Sequence, residues 1–191
     1  LKWKKKKFLV ARARFLVFLF IPLFMLSSFP LLTGEVIKEQ TYVKFPNYWI
    51  DAANWLNNQP GDYRILLTPN NDFYQMPYAW GFYGADVFPS RLISKHVLQE
   101  MPGGYVENPE YSVLMSQIYE AIVSNNTEKF QALLDFLHVR YILHRGDIQY
   151  EFKGRNIISD DIIREFLDNQ RNIRLAKTFG ELAVYEYLNP K

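Results

Sequence analysis

The sequence predicts an α/β (or α+β) fold, with an N-terminal transmembrane helix followed by one mixed-sheet domain and its flanking helices. Three observations carry this expectation. An uncharged apolar run separates a basic segment from an acidic remainder. Helical and strand-like patterns alternate from Glu35 to Lys191, a stretch long enough for one core and too short for two. Cysteine is absent, so disulfides and thiolate metal sites are excluded and packing has to hold the domain.

The composition, 49% hydrophobic with a mean hydropathy of −0.18, would suit a soluble protein, so position carries the membrane assignment. From Phe15 to Leu32 no residue is charged, and eighteen residues of helix cover roughly 27 Å, close to a bilayer core. Pro22 and Pro30 are tolerable there if Ser27, Ser28 or neighbouring helices satisfy the freed carbonyls. Lys2, Lys4, Lys5, Lys6, Lys7, Arg12 and Arg14 precede the run with no acid among them. Fifteen cations against twenty acids follow it. This asymmetry places 1–14 in the cytoplasm, 15–32 in the membrane and 35–191 outside, in contact with membrane lipid. Seven cations beside a greasy helix and an acidic domain do not suit nucleic acid. A cleaved signal peptide would show the same two regions, but no A-x-A-like site follows. The first residue is Leu, so the chain is expected to be a piece of a longer one with further transmembrane helices upstream.

Pro46 and Asn47 introduce a helix over Tyr48–Asn58, with Trp49, Ala52, Ala53 and Leu56 on one face. A buried strand is expected at Tyr63–Thr68, and Asn70–Asp86 reads as a loop. Helices follow at Tyr111–Val123 and at Thr127–Leu137, the latter capped by Asn126 or Thr127. Val139–His144 is a β-branched and aromatic strand that ends in the turn Arg145-Gly146-Asp147. This tripeptide is ordinary turn chemistry, and no adhesive role is assigned to it. Ser159 is expected to cap a helix to Asn169, and Ile173–Leu188, with Gly180 at its middle, forms a hairpin at a sheet edge.

The loop from Asn71 to Asp86 is the richest motif, with six aromatic residues, two acids and two glycines in sixteen positions. Aromatic faces stack on sugar C–H surfaces while carboxylates take hydroxyls, so Asp72, Tyr74, Tyr78, Trp80, Tyr83 and Asp86 are candidate substrate-binding residues for a glycan or a lipid-linked glycan. The same composition suits packing of an irregular loop onto the core, or an interfacial aromatic belt. Asp72 and Asp86 lie fourteen residues apart within a loop, a spacing that does not assign acid–base catalysis. His96, His138 and His144 lack a carboxylate at ligand spacing, so no metal is expected. Asn125-Asn126-Thr127 matches the N-glycosylation pattern, which matters only in a host that glycosylates. The sequence has no P-loop, dinucleotide fingerprint or G-x-S-x-G, and no cofactor is expected.

Several short segments carry a resemblance. They are Pro-Leu-Leu-Thr-Gly at the end of the apolar run, Phe-Pro-Asn-Tyr-Trp, Trp-Leu-Asn-Asn-Gln-Pro, Tyr-Arg-Ile-Leu-Leu-Thr-Pro, Tyr-Ala-Trp-Gly-Phe-Tyr-Gly-Ala-Asp and Leu-His-Val-Arg-Tyr-Ile-Leu, followed by Asp147. Over about Leu31–Asp147 the chain resembles the extracytoplasmic C-terminal region of multi-pass GT-C glycosyltransferases of the α-(1→3)-arabinofuranosyltransferase-like group, with YfhO-like membrane proteins as relatives. The resemblance implies transfer of a polyprenyl-phosphate-linked sugar to a cell-envelope glycan, without a nucleotide sugar. In such enzymes the catalytic carboxylate usually lies in an early loop between membrane helices, so none is assigned here. This chain would position the glycan acceptor, with Tyr78, Trp80 and Tyr83 as platforms and Asp72 and Asp86 as hydroxyl partners. The alternatives are a single-pass membrane-anchored binding or scaffold domain without enzymatic activity, and a secreted glycan-binding domain if the apolar segment is cleaved.

Overall fold

The computed structural model describes residues 18–33, 43–100 and 108–188. The chain forms two compact units, Leu1–Lys44 and Phe45–Lys191. In the first, residues 18–27 and Phe29–Thr33 are helical. Pro30 has no N–H to offer the turn before it, and the helix is interrupted at Ser28. The Ser27 hydroxyl donates to Phe24 O at 2.9 Å and that of Thr33 to Phe29 O at 3.2 Å. Phe18, Phe20, Phe24 and Leu26 are exposed. Residues 15–17 of the expected span, and the basic segment 1–14, lie outside the described residues. Among the described residues, no helix is long and apolar enough to cross a membrane.

The second unit is a five-stranded mixed sheet between helices. Its elements run α1 (Asn47–Asn57), β1 (Arg64–Thr68), β2 (Gln75–Pro77), β3 (Tyr83–Ala85), α2 (Pro89–Leu92), β4 (His96–Leu98), α3 (Pro109–Val123), α4 (Thr127–Phe136), β5 (Val139–Arg145), α5 (Asp160–Asp168), β6 (Ile173–Phe179) and β7 (Leu182–Tyr187). The sheet order is β4-β1-β5-β7-β6. β1 is parallel to both β4 and β5, while β7 is antiparallel to β5 and β6.

Alternation along the strands divides the core in two. Ile65, Leu67, Tyr141, Leu143, Leu182 and Val184 face α1, whose Trp49, Ala52, Ala53 and Leu56 are the buried stripe expected of it. Leu66, Ile142, Ala183 and Tyr185 face α3, α4 and α5, and Val139 joins them because the β1–β5 register slips by one residue at Arg140. Asn108 caps α3, its Oδ1 accepting from the N–H groups of Glu110 and Tyr111 at 2.9 and 3.3 Å, and Pro109 fills the first helical position. Asn126, not Thr127, caps α4 by accepting from Lys129 N–H at 3.0 Å. Ser159 stands at the N-cap of α5 without a side-chain cap bond, and Asp160 and Asp161 supply the negative charge its first turn favours.

The segment expected to be a loop, Asn70–Asp86, contains the β2–β3 hairpin, with Gln75, Met76 and Pro77 opposite Ala85, Gly84 and Tyr83. Each strand is three residues long and rich in Pro, Gly and Ala, so no alternating pattern announces it. The β6–β7 turn is held against α1, where Gly180 takes φ +53° and a Cβ would come within 2.8 Å of the Tyr48 ring.

At the end of β5, Gly146 N–H donates to Glu181 O at 2.9 Å, and a Cβ there would lie 2.7 Å from that same oxygen. The obstacle is backbone and cannot rotate away. Gly146→Ala should therefore cost about 2 kcal/mol or more of unfolding free energy, read from the urea midpoint. An unchanged midpoint would mean that the β5–β7 junction shifts freely.

Candidate functional site

In open sheets with parallel strands, binding sites form outside the carboxyl ends of those strands. Here β1 delivers Thr68 and Pro69 to that edge, and β5 delivers His144, Arg145 and, just beyond, Asp147. Alternation sends His144 and Arg145 to opposite faces.

Arg145 is fully buried on the α1 side. Its Nη1 donates to Asp86 Oδ2 at 2.7 Å and to the Tyr78 hydroxyl at 3.1 Å. Its Nε and Nη2 donate to the carbonyls of Thr68 and Pro69 at 3.2 and 3.0 Å. The Tyr78 hydroxyl donates to Asp86 Oδ1 at 2.6 Å, and Asn71 Nδ2 donates to Oδ2 at 3.4 Å. Burial opposes the charge on Arg145, but Asp86 overrides it and the guanidinium pKa rises. Burial, then the Asp86 charge, pushes the Tyr78 phenol up, so it remains a donor.

Asp147 is the second buried carboxylate. Its Oδ2 accepts from Trp49 Nε1 at 2.8 Å, Trp80 Nε1 at 2.9 Å and the Tyr48 hydroxyl at 3.1 Å. Its Oδ1 has no partner among the described residues. Burial raises the Asp147 pKa against the opposing pull of the two indoles. The backbone joins in, with Ala79 N–H donating to Asp147 O at 2.7 Å and Gln149 N–H to Pro77 O at 2.9 Å. The hairpin is thus tied to the segment after β5, and Trp80 is fixed at both its ring nitrogen and its neighbouring backbone. Trp80 stacks on Phe82 with centroids 5.4 Å apart and planes 9° from parallel. Tyr83, 46% exposed, stacks on Phe152 at 5.0 Å.

The six residues expected from the aromatic motif therefore fall into distinct settings. Tyr78, Trp80 and Asp86 come together, the Tyr78 and Trp80 rings 5.1 Å apart and Tyr78 and Asp86 buried. Tyr83 presents its ring to solvent. Asp72 pairs with Arg155 at 2.6 Å and accepts from Asn156 N–H at 2.6 Å. Tyr74 packs on Phe73 at 4.5 Å, and its carbonyl accepts from Asp86 N–H at 3.1 Å. Arg145, Asp147, Tyr48 and Trp49 were not expected. The available signal was the charged pair Arg145 and Asp147 at the end of a strand whose Tyr141, Ile142 and Leu143 are apolar, a position that requires buried partners. Arg145 and Asp147 are both inaccessible, so the tripeptide offers nothing for adhesion. Among the described residues, no group of three or more His, Asp or Glu could hold a metal ion.

His144 faces α5. Its Nε2 is 2.7 Å from Asp160 Oδ1 and its Nδ1 is 3.0 Å from Thr68 Oγ1. A carboxylate only accepts, so the network assigns the proton to Nε2 and makes Nδ1 the acceptor of the Thr68 hydroxyl. Arg164 Nε donates to the other Asp160 oxygen at 2.7 Å. Burial lowers the His144 pKa, and the His144 hydrogen bond leads the causes that hold Asp160 down to about 2.

Both values lie below those of the unfolded chain, so the unfolded state takes up protons first and acid destabilises the fold. The His144 contribution is complete above its ordinary value of 6.5 and is lost below it, and the Asp160 contribution is lost between 3.8 and about 2. The urea midpoint should fall as pH drops from 7 to 5, and His144→Gln should flatten that limb. An equal slope in the variant would contradict the assignment. Asp86→Asn strands the Arg145 charge and should cost about 3–5 kcal/mol in the same measurement. A loss under about 1 kcal/mol would mean the pair is dispensable.

Residues 2–188 match the sequence family described as alpha-(1->3)-arabinofuranosyltransferase, N-terminal GT-C domain. A cryo-EM structure of the arabinofuranosyltransferase AftD from mycobacteria shares the fold at 13% identity and a TM-score of 0.65, over 77% of this chain and 13% of that one. A mutant form of AftD matches with 14% identity and a TM-score of 0.65, over 87% of this chain and 14% of its own. The chain thus spans about an eighth of the length of these solved relatives. No curated protein matches it in sequence. Because the family match runs across nearly all of the sequence, the chain belongs to the alpha-(1->3)-arabinofuranosyltransferase family defined by this N-terminal GT-C domain.

Proposed function

We propose that Phe45–Lys191 is the extracytoplasmic accessory part of a membrane glycosyltransferase that takes a sugar from a polyprenyl phosphate and extends a cell-envelope glycan. Its role is to position the glycan acceptor. The catalytic carboxylate lies elsewhere in the longer protein, and the remaining transmembrane part is the domain's partner. The apolar segment at Phe15–Leu32 crosses the membrane with the N-terminal cations on the cytoplasmic side, where anionic lipid favours them.

The observation that carries this reading is the fixing of Trp80 by Asp147 at 2.9 Å, in the same hairpin segment that exposes the ring of Tyr83. A sugar face is bound most economically by a ring that is already immobile, since little ordering entropy remains to be lost. Trp80 and Tyr83 act as platforms, and Asp72 and Tyr74 offer polar groups at the rim. Tyr78 and Asp86, both buried, act from behind by holding the hairpin in place. Family membership supports the glycan as the ligand class.

The test uses the full-length enzyme with donor and acceptor varied separately. Tyr83→Ala removes an exposed ring and should leave the thermal midpoint unchanged while raising the acceptor KM about tenfold, the equivalent of one lost stacking contact of about 1.4 kcal/mol. Trp80→Ala should lower transfer to acceptor further without unfolding the domain. Unchanged acceptor kinetics in both variants, an effect confined to the donor, or a Trp80→Ala protein that does not fold would overturn the proposal.

A further inference from the structure

A concave site lies at the other end of the strands. It is a pocket of about 450 Å³ lined by Trp55, Gln59, Arg140, Tyr141, Arg174 and Glu186. Arg140 stands near the start of β5, whereas Asp147 follows its end. At about 3.3 Å per residue the two sites are roughly 20 Å apart along the strand.

The pocket is built rather than incidental. Glu186 Oε1 accepts from Arg140 Nη2 at 3.1 Å, Arg140 Nε at 3.3 Å and the Tyr141 hydroxyl at 3.3 Å, while Oε2 accepts from Arg174 Nη2 at 2.8 Å. Arg140 is itself clamped, donating from Nη1 to Pro60 O at 2.9 Å and lying over the Tyr63 and Tyr141 rings. Trp55 forms one wall, held edge-on to Tyr141 at 5.5 Å, and Gln59 is anchored to Trp55 O at 3.0 Å. Burial opposes the charge on Glu186, but the two guanidiniums prevail and lower its pKa, so it remains a carboxylate. On the rim, the register of edge strand β6 skips between Leu175 and Lys177, leaving Ala176 as the extra residue of a bulge. The bulge puts a small side chain where a regular strand would turn a paired one, and Leu175 beside it is 52% exposed.

We propose that this pocket is a binding subsite for an uncharged sugar unit, with Trp55 taking the ring face and Arg174, Arg140 and Glu186 taking hydroxyls. A hydroxyl both donates and accepts, and the pocket offers fixed donors and a fixed acceptor on one side of an indole. An apolar ligand would strand two guanidiniums and a carboxylate. A phosphate would face the oxygens of Glu186. Arg174, 64% exposed, commits only Nη2 to Glu186 and aims its remaining donors outward. The volume suits a ligand of one or two sugar units. The site depends on neither Trp80 nor Tyr83, and a second subsite would let the domain hold an extended glycan at two points, multiplying weak affinities.

The experiment titrates full-length protein carrying Tyr83→Ala with an uncharged arabinofuranose tetrasaccharide, followed by saturation-transfer NMR. The surface at Tyr83 is weakened in this background, so a further loss on changing Trp55 or Arg174 reports on the second pocket, and failure of either site is read separately. Saturable binding is expected to persist in this background and to weaken about tenfold on adding Trp55→Ala or Arg174→Ala. Arg174 is largely exposed, so its removal leaves the fold intact even if Trp55→Ala does not. Absence of saturable binding at millimolar sugar, an affinity unaffected by Arg174→Ala, or displacement by inorganic phosphate would overturn the proposal.

Discussion

A guanidinium without water and without an anion would not remain in a folded core, and Arg145 has no water-facing surface. Its anion is Asp86, which comes from a segment with almost no means of folding by itself. β2 and β3 contribute three residues each, far too little sheet for an independent hairpin. The Arg145–Asp86 pair, with Tyr78 bridging its two members and the carbonyls of Thr68 and Pro69 taking the remaining donors, converts this weak hairpin into a fixed extension of β1 and β5. Among the described residues, no strand of the five-stranded sheet pairs with β2 or β3, whereas the candidate site is built on that hairpin.

Asp147 completes the arrangement two residues further on. It gathers the polar edges of three aromatic side chains from two distant segments onto a single oxygen, so their apolar faces are oriented as a set. Placing two acids and one Arg in a dry interior is a costly way to position a tryptophan, and hydrophobic packing alone would have been cheaper. What the polar solution adds is direction: one Asp147 oxygen fixes both indole nitrogens, so the ring planes of buried Trp49 and partly exposed Trp80 are set by hydrogen bonds as well as by packing. The opposite end of the sheet repeats the theme with Glu186 between Arg140 and Arg174, where the bulge in β6 leaves the pocket open.

The parts of the fold legible in the sequence are those governed by one local rule. Trp49, Ala52, Ala53 and Leu56 repeat with helical spacing, and the β-branched and aromatic stretch Val139–His144 reads as a strand. The hairpin at Ile173–Leu188 was readable from Gly180, and β6 is indeed at the sheet edge. The parts not legible depend on contacts between distant residues. Arg145-Gly146-Asp147 has turn composition, and only the return of residues 78–86 to the end of β5 makes its charges interior. The aromatic loop stood out by composition, but composition could not separate Tyr78, turned inward to Arg145, from Tyr83, turned outward to solvent. The small strands β2, β3 and β4 have no periodicity to read, since pairing partners rather than their own residues define them.

Buried carboxylates, rather than the hairpin's own sequence, hold the aromatic surface in place. Residue-resolved hydrogen exchange of the intact chain, comparing the native sequence with Asp147→Leu, tests it most directly. The substitution keeps the volume close but removes the acceptor shared by Tyr48, Trp49 and Trp80. The account predicts that amides across Gln75–Asp86 exchange at least about tenfold faster, while those of β1, β5 and β7 keep their protection. Unchanged protection in the hairpin, or a uniform loss across the whole sheet, would contradict it.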